Sequence, residues 1–394
     1  MTFGRRLLLI STVALASLFV PLAARAAEPY AINTILSLTG NIAFVGQTQM
    51  KALKAIEAMV NANGGIKGRP LSFVVADDTS SPQTAVQLAQ GLIAKGVPII
   101  LGSSSPNACG AMAPLLQQNG PLLYCLANGG IAVPGSYEFF TEMSYDDLMA
   151  VTVRYFRERG LNRLATIFAT DAGGQTSEKA LQGAMALPEN KSMQLVSAQH
   201  FAPGDASVAA QMAVIKGANP NALIAWATGG AAGNLMRGEK DIGLDIPTMT
   251  SPGNLTDAFF KQYGAVLPTE LIYPAVPYYA KGAPTDPATA KAVAEMAKAL
   301  EAAGAQPDMI TISAWDPALV LVSALQKLGP DASAPKLRDY LLQLQGWVGA
   351  NGPYDYVTNP QRGVGGNNVV MVRWDGQKKA VVAASNFGGT PLSK

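Results

Sequence analysis

Two successive series of short apolar runs, alternating with longer amphipathic ones, constrain this chain more than any other feature. In the first series, residues 31–36 read as a strand. Residues 50–63 read as a helix with Ala52, Leu53, Ile56, Met59 and Val60 recurring at three and four, stopped by Gly64 and Gly65. Strands at 71–76, 97–101 and 121–126 and helices at 82–95 and 106–118 continue the pattern. The second series places strands at 164–169, 193–198, 222–227 and 248–250, with helices at 176–185, 207–216 and 231–241. Runs apolar at every position predict strands buried on both faces, the pattern of a parallel sheet covered by helices. The expected fold class is therefore α/β, with two Rossmann-like parallel-sheet lobes joined by a hinge. A chain of 394 residues also exceeds the roughly 250–300 residues at which single cores usually divide. Further helices are expected at 145–159 and at 310–328, the latter long, apolar and containing Trp315 and Asp316. Short strands are expected at 352–356 and 368–374.

Charge and ligating residues exclude several functions. Lys and Arg number 29 against 27 Asp and Glu, with no dense basic block, so neither nucleic acid nor anionic lipid is an expected partner. One histidine, His200, and two cysteines are too few for a zinc site. No G-x-S-x-G or H-E-x-x-H motif occurs, and 64–68 lacks the Lys-Ser/Thr ending of a phosphate-binding loop. The adjacent acids Asp77-Asp78 and Asp146-Asp147 diverge on a strand or a helix, so neither pair converges on a substrate. No catalysis, metal or cofactor is expected.

The N-terminus carries Arg5 and Arg6, an apolar run at 7–20, then Pro21 and Ala24-Arg-Ala-Ala27. This describes a signal peptide, residues 1–26, cut after Ala26; its 14-residue apolar run falls short of the ~20 needed to span a bilayer. Losing Arg5, Arg6 and Arg25 would leave 26 basic residues against 27 acidic. Cys109 and Cys125 then enter an oxidising compartment, either as a disulfide or as two separately buried thiols.

Six motifs, in order, carry a family resemblance: Leu-Ser-Leu-Thr-Gly at 36–40; Asn-Ala-Asn-Gly-Gly-Ile-Lys-Gly-Arg at 61–69 followed by Asp77-Asp78; Ile-Leu-Gly-Ser-Ser-Ser at 100–105; Thr-Asp-Ala-Gly-Gly-Gln at 170–175; Ser-Ala-Trp-Asp-Pro at 313–317; and Asn-Gly-Pro-Tyr-Asp at 351–355. Together they resemble the periplasmic solute-binding proteins of ABC importers, of the branched-chain amino acid (Leu/Ile/Val) type, or type I periplasmic binding proteins. The resemblance implies an N-terminal lobe at 27–145 that returns in part at 270–350, a C-terminal lobe at 146–270, and strands and tail at 351–394 near the hinge. It further implies a periplasmic, monomeric binder of one small molecule, handed to ABC transporter permease subunits.

Ligands of such sheets bind beyond the carboxyl ends of the strands. Ser104 and Ser105 follow a strand and precede a helix with Pro106 in its first turn, so hydroxyls and free N–H groups suit a carboxylate; helix capping is the alternative task. Asn128 and Gly129 end the next strand, either as donors or as a turn. The resemblance assigns Thr39 and Phe44 to the ligand-facing first loop, with Phe44 equally suited to a core. It assigns Asp171 and Gly173 to the second lobe, where glycine replaces the aromatic usual in the family; Thr228, Gly229 and Asn254 should line the same mouth. The loop at 251–254, which holds the ligand ammonium through an acid in amino acid binders, has no acid before Asp257. A buried ammonium without a partner is costly. A small carboxylate, aromatic or aliphatic, is therefore the expected ligand, with Phe44, Trp315 and Tyr278 as ring contacts. The alternatives are a branched-chain-type amino acid with Asp171 as ammonium partner, or a ligand-sensing receptor domain. The lack of an expected membrane-spanning run after the signal and the polar end at 388–394 favour a free binder.

Overall fold

The computed structural model describes Met1 and residues 28–392 apart from 117–119, 128–129, 132, 282 and 284. The expected signal peptide and its cleavage site, and the candidates Asn128 and Gly129, lie outside the described residues. The first lobe begins with β1 (Tyr30–Leu36), α1 (Ala43–Ala62), β2 (Leu71–Asp77), α2 (Pro82–Ala94), β3 (Ile99–Gly102), α3 (Pro106–Met112), β4 (Leu122–Cys125) and β5 (Glu138–Phe140). Its five strands are all parallel, in the order β2-β1-β3-β4-β5.

The chain then crosses to the second lobe, which contains α4 (Tyr145–Glu158), β6 (Arg163–Ala169), α5 (Ala172–Met185), β7 (Gln194–Phe201), α6 (Ala209–Gly217), β8 (Ala222–Trp226), α7 (Gly229–Asp241), β9 (Thr248–Met249), α8 (Asp257–Tyr263) and β10 (Leu271–Ala275). It returns through α9 (Pro287–Ala302), α10 (Met309–Leu328), α11 (Ala334–Leu342) and the hairpin of β11 (Gln345–Gly349) and β12 (Gly352–Asp355), and ends in β13 (Val370–Asp375) and β14 (Ala380–Phe387). The second sheet has the order β14-β13-β10-β9-β8-β6-β7.

Local chemistry sets most boundaries. Strands β3, β4 and β8 are buried at every residue, as expected of sheets covered on both faces. Ser81 caps α2 by accepting from Thr84 N–H, with Pro82 in the first turn. Ser144 and Asp147 form a reciprocal capping box on α4, and Asp308 and Thr311 another on α10. Helix α10 is long and apolar enough to cross a membrane, but most of its residues are buried, packed against α1 and α11. One apolar core runs from Leu101, Tyr124 and Trp315 to Met149, Phe168 and Ile224 of the second lobe.

Several expectations needed correction. Helix α1 starts at Ala43 rather than 50, because its extra turns bury Gly46 and Gln49, residues that apolar periodicity ignores. Helix α5 starts at Ala172 rather than 176, and α3 stops at Met112, continuing to Leu116 only as a 3₁₀ turn. Strands β5, β10, β11 and β14 and helices α9 and α11 had no counterpart in the sequence reading. The second lobe extends beyond 270: β10 pairs parallel with β9 and antiparallel with β13, and β13 pairs with β14. Residues 370–387 therefore complete the second sheet rather than standing apart near the hinge, whereas α9 and α10 pack on α1 and α11 touches β4. Cys109 and Cys125 form a disulfide, with Cα atoms 6.0 Å apart.

Candidate ligand-binding cleft

The strand ends of the first lobe meet in a polar cluster. Ser103 Oγ donates to the Asp78 carboxylate. Ser104 Oγ accepts from Ser37 N–H at 3.2 Å, and among the described residues its own proton has no acceptor. Ser105 Oγ accepts from Ala108 N–H at 3.4 Å, so this serine caps α3. Gln49 Nε2 donates to Leu126 O at 2.8 Å and to Ser313 Oγ at 3.0 Å, which fixes the start of the 126–130 loop against α10. Thr39 Oγ1 donates to Asp77 Oδ2 at 2.7 Å, a use the sequence did not anticipate. Phe44 is 63% exposed on the first turn of α1 and belongs to no core.

In the second lobe Asp171 caps α5, accepting from Gly174 N–H at 2.8 Å, and Gly173 lies half-buried in the same turn. Thr228 opens α7 without a side-chain cap bond, and Gly229 takes φ +60°, which glycine adopts freely. Asn254 is a correction: it is 1% exposed and its amide is consumed inside the lobe. It accepts from Gly229 N–H at 2.9 Å and donates to Ala227 O at 2.8 Å and Thr250 Oγ1 at 3.3 Å. Asn254 therefore staples the β8 and β9 loops together. Trp315, another expected contact, is buried in the core beside α1. Tyr278 is half-buried and lines a separate groove of about 480 Å³ with Asp257, Phe260 and Trp374.

Three residues of the junction had no place in the sequence reading. Tyr145, the first residue of α4, stands edge-on to Trp226 at the end of β8, ring centroids 5.7 Å apart. Burial raises the Tyr145 phenol pKa, helped by the charges of Glu142 and Asp171 and opposed by Arg362. Glu142 is buried with φ +60°, and burial, countered by Arg362, pushes its carboxyl up to about 7. Arg362, on the last crossing, donates to Glu142 O at 3.1 Å and to Gly130 O, and its guanidinium lies 4.8 Å from the Phe140 ring centroid. A fixed cation therefore stands at the junction, engaged with carbonyls. Tyr145, Thr176, Gly130, Ile131, Asn359 and Arg362 border a cleft of about 350 Å³ reached from both lobes. The expected helix at 145–159 begins at Tyr145 as found, but nothing local indicated that Tyr145 meets residue 226.

A family model described as periplasmic binding protein matches residues 29–380. The Leu/Ile/Val-binding protein homolog 3 of Brucella melitensis biotype 1 is 23% identical over 326 residues, covering 82% of this chain and 85% of the relative. An extracellular ligand-binding receptor from Rhodopseudomonas palustris HaA2 superposes with a TM-score of 0.75 at 22% identity, covering 91% of this chain and 99% of its own. A solute-binding protein of an ABC transporter from R. palustris, in complex with benzoate, gives 0.71 at 19% identity, covering 93% and 98%. The branched-chain amino acid substrate-binding protein LivJ of Streptococcus pneumoniae, in complex with isoleucine, gives 0.74 at 16% identity, covering 90% and 99%. At these identities the solved structures speak for the fold. The matched family and the two-lobe architecture together place this chain in the periplasmic binding protein family.

Proposed function

We propose that this protein captures a small carboxylate in the cleft between its lobes and delivers it to an ABC import permease, acting as an exported, monomeric binder without catalysis. The observation that carries this reading is the Ser104 hydroxyl, anchored by Ser37 N–H with its own proton left to donate. Neutral donors of this kind bind a carboxylate with roughly 1.5–3 kcal/mol per charged hydrogen bond. The loop at 251–254 supports the absence of an ammonium partner: Ser251 Oγ accepts from Gly253 N–H and the Asn254 amide is spent on backbone and Thr250. Benzoate in one structural neighbour supports an aromatic acid as the ligand class.

A second reading rests on Asp171 and Glu142, whose charges both reach Tyr145 and would suit an amino acid's ammonium, as the isoleucine complex of LivJ suggests. Glu142 is weakened for that task because burial holds its pKa near neutrality. A thermal-shift screen of the mature chain against benzoate, 3,4-dihydroxybenzoate, leucine and isoleucine separates the readings. Ligand at 100 times its Kd adds about 2.7 kcal/mol of stability. A shift with the benzoates alone supports the carboxylate reading, and a shift with the amino acids alone overturns it.

A further inference from the structure

We propose that Tyr145 forms one wall of an aromatic-ring slot and is the residue that selects a planar ring over a saturated one; this rests on the carboxylate reading above. The Tyr145 ring packs against Trp226, which is 4% exposed and meets it at an interplanar angle of 82°. Its backbone is equally fixed. Ser144 Oγ accepts from Asp147 N–H at 3.1 Å, Asp147 Oδ2 accepts from Ser144 N–H at 3.1 Å, and Asp147 Oδ1 accepts from Gly366 N–H at 2.8 Å, tying the start of α4 to the last crossing. Tyr145 lines the cleft of about 350 Å³, a size that suits a small molecule.

The same cleft is bordered by Ile131, Pro134, Pro360 and Val364. Ile131 is 81% exposed, so its side chain is accessible to a molecule in the cleft. An aromatic ring held between a braced tyrosine and these aliphatic groups gains offset or edge contacts that a saturated ring of the same size lacks. Thr176 and Asn359 at the edge of the cleft can receive polar ring substituents. Tyr145 acts here by direct contact with ligand.

Isothermal calorimetry on the mature chain tests this with benzoate and cyclohexanecarboxylate, equal in charge and close in size. Tyr145→Leu is expected to weaken benzoate about three- to tenfold and cyclohexanecarboxylate less than about twofold, while Tyr145→Phe keeps both near wild type. Tyr145→Met replaces the Leu variant if that one does not melt cooperatively. Equal losses for the two ligands, or none for benzoate, overturn the slot while leaving the carboxylate reading in place. Wild-type protein that binds leucine but neither carboxylate overturns the carboxylate reading, and the slot with it.

Discussion

Cys109 and Cys125 join α3 to β4 across a Cα separation of 6.0 Å, so the serine loop that precedes α3 and the 126–130 loop that follows β4 are cross-linked at their roots. The bond is buried with Ala127 and Phe140. It also closes a short loop, with a sequence separation of 16. Converting both cysteines to serine is expected to cost about 3 kcal/mol, read from urea unfolding of variant and wild type. An unchanged unfolding midpoint would show that the bond constrains nothing.

The serine loop separates binding from folding. Ser104→Ala should weaken carboxylate binding at least about tenfold by calorimetry, with little change in melting. Ser105→Ala removes a helix cap and should instead cost about 1 kcal/mol of stability. The reverse pattern would exchange the roles of the two residues.

Glu239 gives the fold a pH dependence. Burial raises its carboxyl to about 8, against the bond from Thr248, which lowers it. Thr248 Oγ1 lies 2.5 Å from Glu239 Oε1 and 3.0 Å from Ile246 O, and one hydroxyl proton cannot serve both acceptors. Burial outweighs the Thr248 bond, so Glu239 holds its proton through neutral pH. The folded state then keeps a proton that the unfolded chain releases above about pH 4.5, so this group's contribution to stability falls as pH rises from there to about 8. Glu239→Gln should flatten that slope and stabilise the protein at pH 8 more than at pH 5. Parallel slopes in variant and wild type, measured by denaturant melts across this range, would refute it.

Asp316 holds the last crossing in place. It accepts from Ala350 N–H at 2.8 Å, Asn351 N–H at 2.7 Å and Tyr354 Oη at 3.0 Å, all buried. Asp316→Ala leaves these donors unpaired and should cost about 3 kcal/mol or more. A loss below about 1 kcal/mol in urea unfolding would mean that water replaces the carboxylate.

The alternation of apolar and amphipathic runs was enough to read two α/β lobes, because strands covered on both faces and helices with one buried stripe leave local periodicities. The later elements left weaker traces. Strand β14 is only partly buried along its length, and β10, though buried throughout, contains Pro274, a poor strand signal. The place of β13 and β14 in the second sheet depends on β13 pairing with β10 from about a hundred residues away, a pairing that no local pattern encodes.

The loops at the strand ends follow from strand order, so Ser104, Asp171 and Thr228 could be named as candidates from sequence alone. Which of their atoms remain free could not. Thr39 is taken by Asp77, Asn254 by Ala227 and Gly229, and Arg362 by Gly130 and Glu142. A buried polar group must be satisfied by whichever partner the completed fold brings near, and these partners lie 25 to 232 residues apart. The sequence determined where the strand-end loops stand; the tertiary hydrogen bonds, formed only when distant segments meet, decided which of their side chains kept a free donor or acceptor.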